Sequence, residues 1–189
     1  MSTHTLINDT FILLRKCSSV ITKRANFTRP SFLLFFLSTF IIQLSSSHAP
    51  IHLRFYFHEK YRGENATSNV VATLNRPNST FGNIVVFDNP LRAGPESNSK
   101  LIGRAQGTAF RSSFSEESAL AAITLLFSEG EFNGSSISLI GLVDGSGSAD
   151  RTVVGGSGHF RMAKGYVLTK IVNSTAVSLM AQYDAYIWS

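Results

Sequence analysis

The sequence predicts an all-β fold, either a sandwich or a closed antiparallel barrel, and three observations predict it. Apolar residues recur at every second position in several runs, most clearly at Val177, Leu179, Ala181, Tyr183, Ala185 and Ile187. About eight such short runs are separated by stretches rich in Gly, Asn, Ser and Pro, which supply turns. Helical heptads and internal repeats are absent from the sequence. A barrel of about eight strands has room for side chains or for one small ligand.

The first 49 of the 189 residues read as a presequence, set apart from the domain at 50–189. Ser31 to Leu44 (SFLLFFLSTFIIQL) is an apolar run that follows Lys23, Arg24 and Arg29, and the small residues Ser45 to Ala49 come next. The run is shorter than the roughly 20 residues a bilayer span needs, so a cleaved secretory signal is expected rather than stable membrane insertion. Five of the 17 basic residues and one of the 12 acids lie in this segment, so the formal +5 of the whole chain falls to about +1 beyond it. That balance leaves no basic patch for nucleic acid. Cys17, the one cysteine, also lies there, so the domain has neither a disulfide nor a thiol nucleophile.

The domain opens with Ile51, Leu53, Phe55 and Phe57 alternating with His52, Arg54, Tyr56 and His58, a half-buried strand. Further strands are expected over 69–74, 82–88, 101–110, 118–128, 136–143, 151–154, 159–172 and 175–188. By composition the 118–128 run (SALAAITLLFS) could equally be a helix. Four Asn-x-Ser/Thr sequons, at Asn65, Asn78, Asn133 and Asn173, are candidate glycosylation sites and fit passage through a glycosylating compartment.

Several chemistries can be weighed from the residues alone. "TVVGGSGHFRMAKGY" (152–166) has glycines after two valines, but Arg161 stands where a dinucleotide loop needs its third glycine, and no helix follows. These glycines are expected to serve a hairpin or a bulge. Asp144 to Asp150 begins like a calcium loop, yet Ala149 and Gly155 occupy the positions of its glycine and closing glutamate. His52, His58 and His159 have no metal-ligand spacing, so neither a metal nor a cofactor is expected.

Four stretches taken together resemble the plant dirigent proteins: "FYFHEKYRGENATS" (55–68), "FGNIVVFDNPLRAGPESNSKLIGRAQGTAF" (81–110), "TLLFSEGEFNGSSISLIG" (124–141) and "TVVGGSGHFRMAKGY" (152–166). They run in the family's order over nearly all of 50–189. The resemblance implies an eight-stranded antiparallel barrel of the lipocalin-like and allene oxide cyclase-like kind, secreted to the apoplast, glycosylated, and self-associated as a homodimer or homotrimer. It implies stereoselective coupling of phenoxy radicals, typically from coniferyl alcohol, into an optically active lignan, with a separate laccase or peroxidase doing the oxidation. The protein's task would then be orientation of radicals or quinone methides, with an acid to assist cyclisation. Two alternatives stand beside it: an oxidant-independent dehydratase or cyclase on a quinone-methide-forming phenolic, and a non-catalytic cell-wall binding protein.

Carried over position by position, the family's two lumen acids match Glu59 and Asp144, as candidate proton donors. The family arginine falls on Ala149, with Arg151 as the nearest substitute, inward-facing only if its strand is regular. A tyrosine common after the Arg-Ala-Gln-Gly motif is Ala109 here. These departures weigh against pinoresinol as the specific product.

Overall fold

The computed structural model describes residues 49–189 apart from 116, 117 and 145; the 31–44 run expected to act as a secretory signal lies outside them. Nine strands follow one another: β1 Ile51–Lys60, β2 Ser68–Ala72, β3 Ile84–Arg92, β4 Leu101–Arg111, β5 Ala119–Phe127, β6 Ser136–Val143, β7 Ser148–Ser157, β8 Lys164–Ser174 and β9 Ser178–Trp188. They form one antiparallel sheet in the order β1-β9-β8-β7-β6-β5-β4-β3-β2, and an added β1–β3 pairing closes it.

The closed circuit has eight staves, as expected, because β1 and β2 share one. Tyr56 and Phe57 pair with Arg92 and Leu91, and β2 then takes over the same edge of β3 from Ser68↔Phe87 onward. Residues 61–67 loop out between the two halves. On the other side of β1 the pairing with β9 is unbroken from Ile51↔Ile187 to Lys60↔Ser178.

The 119–127 run is a strand. Both its edges are occupied, by β4 and by β6, and its burial alternates along the chain, so pairing decides what composition left open. The expected strands at 151–154 and 159–172 shift to Ser148–Ser157 and Lys164–Ser174, with a 3₁₀ turn at Gly158–Phe160 between them. Val154 is extra in the β6–β7 ladder, where Leu139 faces Val153 and Ser138 faces Gly155, a β-bulge. Gly158 takes φ +61°, and a side chain on Gly156 would press on the carbonyls of Ser136 and Phe160. The glycines therefore make both a bulge and a turn, as expected.

Large side chains fill one end of the barrel. Phe55, Leu91, Leu125, Ile137, Phe160 and Ile187 are fully buried there, and Phe160 sits against Phe127 and Phe132 with ring centroids 5.7 and 4.9 Å away. This end is a floor. The other end is hollow, because the inward positions of the staves carry Ala109, Ala119, Ala121, Ala149 and Ala181.

Candidate functional site

The alanines leave a cavity of about 200 Å³ in the open half of the barrel. Its apolar wall includes Phe57, Phe87, Ile123 and Leu179, and its polar groups are few: Glu59, Arg111, Asp144, Ser148, Arg151, Thr169 and Tyr183. A mostly apolar concavity with few convergent polar groups suits a small aromatic ligand. All three site residues expected from the sequence line it.

Glu59 arrives by parity. It continues the inward set Phe55, Phe57 of β1, two residues further toward the open end. Burial raises its carboxyl above the ordinary range, and the side chains of Ser68 and Asn89 pull it partway back. Asn89 is itself completely buried. The Lys60 backbone N–H donates to Thr67 Oγ1 at 2.9 Å, and the Thr67 hydroxyl donates to Asn89 Oδ1. The amide is thereby fixed with Nδ2 as its remaining donor, and Nδ2 has no full hydrogen bond.

Arg151 also points inward. Ala149↔Thr169, Arg151↔Val167 and Val153↔Gly165 pair without a break, and the β7 bulge comes only afterwards. The strand is regular where the substitution of Arg151 for the family arginine needs it. Arg151 Nη1 donates to Thr169 Oγ1 at 2.9 Å, and the guanidinium lies 5.7 Å from the Tyr183 ring centroid. Its Nε is buried without a partner. Tyr183 stacks on Phe57 at 5.4 Å, and burial raises its phenol, with Arg151 opposing and Glu59 adding to the rise. The Arg151 and Glu59 side chains thus both lie within electrostatic reach of one phenol.

Asp144 differs from Glu59 in setting. It follows the end of β6 on the rim, exposed, and its Oδ1 accepts the Ser146 N–H at 2.9 Å. The bonds from Ser146 hold its carboxyl below the ordinary range, so at neutral pH it is a carboxylate. Of the two acids, only Glu59 is biased toward carrying a proton.

Tyr183, Thr169, Asn89 and Arg111 were not singled out from the sequence. Tyr183 and Thr169 had a usable signal, their inward parity on β9 and β8. Asn89 lies beyond the expected end of its strand at 88, where Asn-Pro reads as a turn. Among the described residues no cluster of His, Cys, Asp and Glu is placed to hold a metal. Asn65, Asn78, Asn133 and Asn173 are all exposed, the condition a glycan requires.

Residues 50–188 match the profile described as dirigent-like protein. Pterocarpan synthase 1 of Glycyrrhiza echinata is 37% identical over 144 residues, covering 72% of this chain and 77% of its own. Dirigent protein 1 of Arabidopsis thaliana is 37% identical over 142 residues, covering 72% and 78%. A solved structure of a pterocarpan synthase dirigent protein superposes with a TM-score of 0.68 at 36% identity, over 73% of this chain and 94% of that one.

Proposed function

The chain belongs to the dirigent family, and from that premise we propose that its barrel closes a ring, with one handedness, on a quinone-methide-forming phenolic. The observation that carries this reading is Glu59: a carboxylic acid whose proton affinity is raised by burial, in a mostly apolar cavity whose lining also includes a guanidinium and a phenol. Relatives named pterocarpan synthase support it, since a pterocarpan is a ring-closed phenolic.

In the step proposed, Glu59 gives its proton to a benzylic hydroxyl, the C–O bond breaks, and water leaves. The ring phenol passes its own proton to solvent at the cavity mouth, giving a quinone methide and leaving that proton for return to the oxygen after ring closure. A second hydroxyl of the same molecule attacks the exposed carbon, the quinone methide oxygen regains a proton, and the attacking hydroxyl's proton returns to Glu59. One water is lost and no electron is gained or lost, so no oxidant is required. Arg151 steadies negative charge on the phenolic oxygen, and the cavity wall presents one face of the intermediate.

The gathering of Glu59, Asp144 and Arg151 in one cavity also favours a second reading, stereoselective coupling of phenoxy radicals supplied by a separate laccase or peroxidase. The same acid would then assist cyclisation of the coupled quinone methide. Ala109 and Ala149 line the cavity where the dirigent resemblance leads one to expect the tyrosine and the arginine of coupling members, so this reading stands second. For either, the expected setting is the apoplast, reached through the 31–44 signal. Self-association as a homodimer or homotrimer would cover the outward row Phe110, Leu120 and Leu142, cross-strand neighbours that all stand exposed.

The test uses residues 50–189 and, without oxidant, a secondary p-hydroxybenzylic alcohol whose carbinol carbon also bears a chain with a second phenolic hydroxyl, placed to close a five- or six-membered ring. A product lighter by one water, formed faster than the background and resolved as one enantiomer on a chiral column, is the expected result. A racemic product at the background rate overturns the reading. Enantiomeric excess only with coniferyl alcohol and a one-electron oxidant would move the function to radical coupling.

A further inference from the structure

We propose that the cavity selects a phenolic that carries a carboxylate, held by Arg151 within and by Arg111 at the mouth. This rests on the reading of the cavity as the phenolic site and adds the ligand's charge to it.

Arg151 carries a guanidinium cation and is only 5% exposed. A buried charge is ordinarily paired with an opposite one. Among the described residues Arg151 makes no ion pair; its one hydrogen-bond partner is a neutral hydroxyl, and its Nε has none. The remaining charged groups of the lining do not supply the missing partner. Glu59 is shifted by burial toward its neutral form, and Asp144 stands exposed on the rim, engaged with Ser146.

Arg111 adds to the imbalance. It ends β4 at the cavity mouth, half-buried, and among the described residues its side chain has neither an ion pair nor a hydrogen bond. Among the described residues the lining therefore holds two guanidinium groups against one ionised carboxylate, and that carboxylate faces solvent. A phenolic without a carboxylate would pair the inner cation only while its phenol is ionised. A carboxylate matches the fork of a guanidinium with two parallel hydrogen bonds in a setting screened from water.

The experiment is calorimetric titration of residues 50–189 with p-hydroxycinnamate and, separately, with p-hydroxycinnamyl alcohol, which share ring and chain length and differ in carboxylate against hydroxymethyl. The acid is expected to bind at least about tenfold tighter, the ratio that one charge-assisted hydrogen bond supplies. That ratio should fall in Arg151→Met and in Arg111→Gln, the second variant deciding the matter if the first does not fold. Equal or tighter binding of the alcohol overturns the proposal while leaving the phenolic site standing. An acid preference unchanged in the folded variants overturns it as well, by placing the anion elsewhere. Binding of neither compound removes the phenolic reading itself.

Discussion

At the scale of single residues the site turns on proton affinity. Glu59→Gln keeps the shape of the side chain and removes the acid, so the ring-closing rate should drop by about 100-fold or more in steady-state assays. Stability should move the other way. A carboxyl raised by folding binds protons more tightly in the folded state, so its contribution is favourable at low pH and is lost as pH rises through the folded value. Glu59→Gln should therefore melt higher than the parent at neutral pH, a difference that closes in acid. Asn89→Leu removes a group that draws the carboxyl down; the decline of rate with rising pH should then occur at higher pH, which a pH–rate profile would detect. Glu59 was legible in the sequence through the dirigent resemblance, and the parity that carries it inward after Phe55 and Phe57 agrees with that match. Asn89 was not, since its role depends on Thr67 across a loop, and no local pattern encodes that contact.

At the scale of elements, the turn between β7 and β8 fixes the floor. Phe160 is fully buried against Phe127 and Phe132, so Phe160→Ala should cost about 3–5 kcal/mol in denaturant unfolding. Gly156→Ala should also destabilise, because the new methyl would meet two backbone carbonyls, one of them Phe160 O at 2.6 Å, which cannot swing aside as a side chain would. The glycines were readable as turn and bulge residues, although the strand limits around them were not. A bulge displaces the ladder by one residue, and period-two alternation does not specify where. For β5 the run of alanines and leucines satisfies helix and strand alike, and only the neighbours on both edges select the strand.

At the scale of the whole molecule, alternation and turn spacing are the same for a sandwich and a barrel. Closure rests on Tyr56↔Arg92 and Phe57↔Leu91, two pairs contributed by strands adjacent in no sequence window, so the choice between the architectures came from family resemblance rather than from pattern. The strand count left room for either side chains or one small ligand; the alanines at inward positions make the hollow, and its depth depends on how far the large residues of the floor reach upward. With no cysteine after Cys17, packing alone maintains the barrel, and thermal melting of residues 50–189 should be unchanged by reductant.

The pairing of Ile51 with Ile187 places both ends of the barrel side by side at its floor, opposite the mouth. The backbone is thus nearly a ring with one missing link. Joining Ser189 to Pro50 through a short linker and cutting within the 73–83 loop would rearrange the order of the chain while preserving every neighbour in the sheet. Tethering the domain to a bead by either end would likewise leave the mouth facing outward, so an immobilised barrel should still take up its ligand.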